Sequence, residues 1–242
     1  MAQDDAAASW DDYATEYAQL DHFVEDLPPT LEIALGEGPG RLLDVGCGEG
    51  FLLDRVSRQH PEWSTTGLEI SEVRADIARG KGHHVVTGEI SEAVAGEQFD
   101  VVTCCHVIEH VPDDWSFAQE LAALVRPGGY LYIETPLKLS GAWYFRRNEK
   151  AGWVLDPTHV REYRSAFEAN EPLLNTGLTI RDLRAAPVLL ALASAETLVR
   201  RALGRRPRAD SNRPTGWRAR HIAWPRYRVH HVLLKKDTGA AA

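Results

Sequence analysis

Between residues 41 and 136 the chain alternates short apolar runs with longer stretches whose apolar residues recur at helical spacing. RLLDV (41–45), STTGLEI (64–70), HHVVTG (83–88), FDVVTCC (99–105) and YLYIETP (130–136) are the apolar runs, and runs of that length bounded by turn residues predict buried strands. FLLDRVSRQH (51–60) predicts a helix that Pro61 ends. SEVRADIAR predicts another, capped by Ser71 with Gly80 past its end, and EISEAVAG a short helix or turn. A further helix runs from about Asp113 to Val125 and stops at Pro127-Gly128-Gly129. Five apolar strands separated by helices predict an α/β fold, a parallel sheet covered on both faces.

The flanks follow less regular patterns. Residues 10–26 place Trp10, Tyr13 and Tyr17 at helical spacing; Pro28 and Pro29 punctuate, and a second short helix covers 30–35. Residues 1–36 thus predict an N-terminal helical lid on a main domain spanning 37–242. Residues 137–164 read as a long aromatic and charged loop excursion that faces a substrate. SAFEANEPLLNT (165–176) predicts a helix and GLTIRDL (177–183) a sixth strand. Residues 187–203 predict an apolar-to-basic helix and 204–225 an Arg/Pro-rich loop. Together these form a basic insertion at 187–225, followed by a last strand in RYRVHHVLLKK.

Composition narrows the function classes. The chain has 242 residues, is 44% hydrophobic and carries a net charge of −8, enough apolar content for one sizeable core. No run of about 18 apolar residues predicts a spanning helix, and the acidic start MAQDDAAASWDDYATEYAQL is not expected to be a secretory signal. Cys47, Cys104 and Cys105 form no paired spacing, which fits a reducing cytoplasm. Charge is unevenly placed: Val199 to Lys236 holds twelve Lys/Arg and one acid, Asp210. A basic stretch on an acidic body is a patch, and nucleic acid is not the expected partner.

LLDVGCGEG (42–50) sets Gly46, Gly48 and Gly50 at every second position, between a predicted strand and a predicted helix. Such a turn lets a ligand press against bare backbone, whether a nicotinamide dinucleotide, a flavin, a nucleotide phosphate or S-adenosylmethionine. Glu69 ends the second strand nineteen residues after Gly50. An acid there can accept hydrogen bonds from both ribose hydroxyls of an adenosine, or charge the start of the next helix.

With FDVVTCCHVIEHVPD and LVRPGGYLYIETP added, four blocks from about 41 to 135 resemble the class I S-adenosylmethionine-dependent methyltransferases. The last two are most similar to the group containing the ubiquinone-biosynthesis O-methyltransferases. The resemblance implies a Rossmann-like sheet of seven strands, order 3-2-1-4-5-7-6, with the last strand antiparallel. It implies S-adenosylmethionine as cofactor, S-adenosylhomocysteine as product and a small-molecule acceptor methylated on oxygen. Asp44 and the turn Gly46-Cys47-Gly48-Glu49-Gly50 would face the methionine portion, Glu69 the ribose, and Ile70, Glu89 and Ile90 the adenine. Cys104 would offer its backbone, and Tyr17 with Tyr13 would close over cofactor and acceptor, unless they pack in the core. Nitrogen methylation, a nicotinamide-dependent oxidoreductase and a non-catalytic binding module are the alternatives.

Two stretches offer a base. His106, Glu109 and His110 lie at i, i+3 and i+4, so one helical turn can point them together. His106 stands where the family usually has an acid. Although such ligands suit a divalent ion, none is expected here. The second stretch, DPTHVREY (156–163), clusters charged and aromatic residues in a loop, where ligands are commonly bound. His159 is the preferred base, with Arg161 and Tyr163 as acceptor contacts. Residues 187–208 begin apolar and end in five arginines. They read as a solvated insertion, an anion clamp, or a peripheral contact with an anionic membrane. Oligomeric state has no signature in the sequence.

Overall fold

The structure, a computed structural model, describes residues 26–140, 146–148, 152–154, 156, 158–191 and 221–239. Tyr13 and Tyr17, and residues 192–220 of the basic segment, lie outside the described residues.

Helix α1 (Pro29–Leu35) begins at a proline, whose restricted φ suits a first helical turn. There follow β1 (Arg41–Val45), α2 (Phe51–Gln59), β2 (Ser64–Glu69), α3 (Glu72–Gly80) and β3 (Val85–Thr87). Next come α4 (Ile90–Ala93), β4 (Phe99–Cys105), α5 (Asp114–Leu124) and β5 (Val125–Lys138). Side chains start two of these helices. Ser71 accepts the Arg74 N–H at α3, and Asp113 accepts those of Trp115 and Ser116 at α5, which satisfies backbone donors that have no partner within the helix.

After β5 come a small antiparallel pair, β6 (Arg146–Asn148) with β7 (Gly152–Val154), then α6 (Ala166–Leu174), β8 (Thr179–Ala191) and β9 (His221–Lys235). The main sheet runs β3-β2-β1-β4-β5-β9-β8. Its first five strands are parallel. β9 lies antiparallel to β5, from Tyr130↔Lys235 to Lys138↔Tyr227, and β8 antiparallel to β9. Counted within this sheet alone, the order is the expected 3-2-1-4-5-7-6 with its last strand reversed.

Successive strand residues point to opposite faces, and both faces are covered. Leu43, Val102, Leu131 and Val232 pack with Leu121 of α5 and Leu173 of α6. Leu42, Val101, Tyr132 and Leu233 pack with Leu31 and Leu35 of α1 and with Leu53 and Val56 of α2. Leu27 to Leu35 therefore share the core of the sheet. Strand order reverses between β1 and β4, and such a switch point opens a crevice beyond the carboxyl ends of the strands.

Two expectations need correction. Residues 187–191 were expected in a helix and 221–225 in a loop, yet both are strand: Leu189↔Ala223, Leu190↔Ile222 and Ala191↔His221 pair at the far end of β8 and β9. An apolar run such as PVLLALA does not distinguish a buried helix from a strand by periodicity; backbone pairing across the two strands decided it. The 137–164 excursion is likewise not structureless, since it begins in β5 and contains β6 and β7.

Candidate functional site

The glycine turn sits at the switch point. Gly46, Gly48 and Gly50 have φ of 72°, 55° and 81°, left-handed values at which other residues are strained. A Cβ on Gly46 would come 2.3 Å from Val107 Cγ2, so the turn after β4 packs directly on the turn after β1. A Cβ on Gly48 would meet nothing within 4 Å; above it lies open space. The N–H groups of Gly46 and Cys47 both donate to the Leu68 carbonyl, and Gly50 N–H donates to the Cys47 carbonyl. The N–H groups of Gly46, Cys47 and Gly50 are thus engaged by β2 and by the turn itself. The α2 N-terminus starts at Gly50 and adds the positive end of a helix dipole.

Glu69, at the end of β2, accepts the Gly48 N–H at 2.7 Å on one oxygen and the Ser71 N–H at 3.0 Å on the other. One carboxylate ties the turn to the start of α3. It fills the helix-start role foreseen for it, and of the carboxylate's about four acceptor positions two remain. Ile70 is half-buried beside it, Ile90 is buried, and Glu89 is exposed at the start of α4.

Asp44 lies within β1 and is buried. Burial drives its carboxyl up to about 7, although the Thr103 hydroxyl donates to it at 2.8 Å and Arg55 contributes an opposing charge. Burial also drives the Cys47 and Cys104 thiols upward, so neither is a nucleophile. Cys104 is fully buried in β4.

Beyond β4 the chain turns at His106, the one non-glycine residue with positive φ (55°) among the described residues. Strain of this kind collects at functional sites. Its N–H donates to the Glu134 carbonyl, and its ring lies 3.1 Å from Glu134 Oε1 and 3.5 Å from Glu109 Oε1. Burial alone would lower the imidazole, but these two carboxylates outweigh it and push it up to about 10. His106 is therefore an imidazolium at neutral pH. Glu134, despite burial, is held well below the usual carboxylate range by His106 and His231. Tyr132 donates to it at 2.9 Å.

The DPTHVREY loop is sewn onto this turn. Backbone N–H groups of Val160 and Arg161 donate to the Glu109 carbonyl. The Arg161 guanidinium donates to the carbonyls of Ile108, Val111 and Pro112 and pairs with Asp114. Tyr163 is buried and donates to Asp114 at 2.7 Å. His159 is buried with Nδ1 2.9 Å from Glu162 Oε1 and Nε2 4.0 Å from Glu109 Oε1. His110 meets it edge to face, ring centroids 4.7 Å apart. Burial lowers His110. Its Nδ1 lies 3.0 Å from the Thr158 hydroxyl, which donates to Asp156 and so accepts from the imidazole. One ligand atom each from Glu109, His110 and His159 lie within 4.8 Å of one another.

The structure therefore gathers Asp44, Gly46, Cys47, Gly48, Gly50 and Glu69 at one wall, and His106, His110 and His159 at the next. Arg161 and Tyr163 brace the loop between them. Sequence reading passed over Glu134, Glu162, Thr103 and Thr135. Glu134 gave a signal, an acid inside the apolar run YLYIETP; the others needed the fold to bring them near.

A family profile described as a methyltransferase domain matches residues 13–183. A ubiquinone biosynthesis O-methyltransferase of Sinorhizobium medicae is 37% identical over 154 residues, 59% of this chain and 61% of that protein. One from Vibrio cholerae is 35% identical over 144 residues, 54% and 57%. The matched region thus spans about three-fifths of these relatives' length. Among solved structures, a SAM-dependent methyltransferase from Archaeoglobus fulgidus superimposes with TM-score 0.53 at 19% identity, covering 85% of this chain and 90% of that one. The cyclopropane synthase MmaA2 of Mycobacterium tuberculosis does so with TM-score 0.57 at 18% identity, covering 85% and 82%. With the family profile matching residues 13–183, well over half of the chain, the chain belongs to the methyltransferase-domain family.

Proposed function

We propose that this protein methylates an oxygen of a small-molecule acceptor, with S-adenosylmethionine as methyl donor and S-adenosylhomocysteine as product. The observation that carries the reading is the pairing of two walls on one edge of the sheet: the open cradle over Gly48, flanked by Asp44 and Glu69, and the histidine wall packed on it through Val107. The residues fit the cofactor. Asp44 is a buried carboxylate driven up to about 7, the environment that an ammonium group would relieve, and Glu69 keeps acceptor positions for ribose hydroxyls. When bound, the cofactor supplies an electrophilic methyl group whose leaving group departs as a neutral thioether.

The protein's part is then to position, to exclude water and to take one proton. His106 has no lone pair to offer at neutral pH. His159 is the base, and its tautomer is set by Glu162. Arg161 and Tyr163 hold the acceptor wall in shape. The relatives' printed name supports oxygen as the acceptor atom. We place the protein in the cytoplasm.

Methyl transfer from radiolabelled S-adenosylmethionine into a host extract, followed by partition between organic and aqueous phases, tests the reading. Label in an extractable small molecule is expected, with at least about tenfold loss in His159→Ala. Label confined to protein or nucleic acid would overturn it.

A further inference from the structure

Buried carboxylates are costly unless their oxygens are satisfied, yet two of them flank one buried histidine on this wall. Glu162 and His159 side chains are 5% and 4% exposed. Glu162 Oε1 faces His159 Nδ1 at 2.9 Å, and its Oε2 accepts the Tyr227 hydroxyl of β9 at 2.7 Å. That carboxylate has no proton to give, so Nδ1 carries the hydrogen and the lone pair lies on Nε2. On the far side, Glu109 Oε2 accepts the Thr135 hydroxyl of β5 at 2.9 Å. Its Oε1 is buried and lies 3.5 Å from His106 Nδ1 and 4.0 Å from His159 Nε2.

We infer that Glu162 and Glu109 are positioning residues that make His159 a proton-holding base, Glu162 by fixing the tautomer and Glu109 Oε1 by facing the proton once it arrives. The inference rests on the methyl-transfer reading above and deepens it. The acceptor O–H bond breaks, its proton joins His159 Nε2, and the electron pair of that bond stays on the acceptor oxygen. The resulting imidazolium is bracketed by two carboxylates, Glu162 at Nδ1 and Glu109 Oε1 beside Nε2. The proton passes to solvent after product leaves. Tyr227 and Thr135 hold the two carboxylates from adjacent strands, so this geometry is built into the sheet.

A divalent ion between Glu109, His110 and His159 is the rival use of the same atoms. The charged and titratable groups around His159 are Glu162 and Asp156 of its loop, Glu109, His110 and His106 of the turn after β4, and Tyr227 of β9.

Three measurements on the full chain decide the matter. Nitrogen-15 spectra of labelled histidine, which need no acceptor, are expected to show the neutral His159 ring protonated on Nδ1. Protonation on Nε2 instead would overturn the inference even if methyl transfer is established. In the second, Glu162→Gln should lower kcat by about 10²-fold or more, with S-adenosylmethionine affinity unchanged. The acid limb of the rate profile should move to lower pH. The same substitution in a His159→Ala background should cost nothing further, whereas an additive loss would mean that Glu162 acts elsewhere. Cobalt(II) titration is expected to show no saturable absorption band; a stoichiometric band lost in His159→Ala would assign the cluster to a metal instead. Wild-type chain with the expected tautomer but no turnover on any extract would sink the functional reading while leaving the geometry standing.

Discussion

Replacing Asp44 by asparagine should make the protein more stable at pH 8 and a poorer binder of its cofactor. Asp44 is driven from 3.8 up to about 7, chiefly by burial. Between those values the unfolded chain has released the proton and the folded chain still holds it. Stability therefore falls as pH rises through that window and levels off above about 7. At 1.36 kcal/mol per unit, the full penalty at pH 8 is about 4 kcal/mol. Asparagine keeps the Thr103 hydrogen bond but adds an N–H₂ group that needs partners, at a cost of about 1–3 kcal/mol, so a net gain of roughly 1–3 kcal/mol is expected. Urea unfolding of both chains from pH 4 to pH 8 reads it directly: the difference should widen with pH and then plateau. The cofactor works in the opposite sense. Its ammonium needs the ionised carboxylate, so affinity should fall about tenfold per unit below pH 7 and be largely abolished in Asp44→Asn by calorimetry. A pH-independent difference in stability, or an asparagine variant that binds normally, would refute the reasoning.

His106 acts in a separate window. Raised from 6.5 to about 10, its ion pairs stabilise fully below about 6.5 and are lost as pH rises through about 10, so His106→Gln should flatten the stability curve between pH 7 and 10 in thermal melts. Gly46→Ala should be severe, because its methyl would strike Val107. Gly48→Ala should cost only about 1–2 kcal/mol of backbone strain but weaken cofactor binding at least tenfold, and calorimetry on the two variants separates packing from ligand contact. Arg161→Ala strips three carbonyls of a charged donor and should lower stability by about 2–4 kcal/mol, with kcat falling while cofactor affinity holds; chemical denaturation and kinetics check both.

The parts of the fold governed by local pattern were readable in advance. FDVVTCC is β4 to the residue, and Ser71 caps α3 as its spacing implied. The glycine turn was legible because φ above zero strongly favours glycine. What escaped was decided at long range. PVLLALA became strand because β9 lies alongside. His106 looked like a candidate base until Glu134, 28 residues away, was found holding its proton in place. Arg161, which sequence alone offered to an acceptor, spends its donors on carbonyls some fifty residues earlier. Neither pairing leaves a periodic trace in the chain.

Those long-range pairings also explain the charge arrangement of the site. Asp44, Glu69, Glu109, Glu134 and Glu162 all stand at or near the carboxyl ends of the strands, and the buried ones gain little from solvent. His106 offsets Glu109 and Glu134 with one permanent charge. Asp44 receives the Thr103 hydroxyl and a distant Arg55 charge, and burial still wins. The edge is therefore short of positive charge at Asp44, on the cofactor side, and a bound donor carrying an ammonium would relieve it. Neutralising Asp44 should thus remove a burial cost and the cofactor function together, the opposite of a core substitution, where stability and activity fall in step. Neutralising Glu109, which His106 holds below the usual carboxylate range, should cost stability instead.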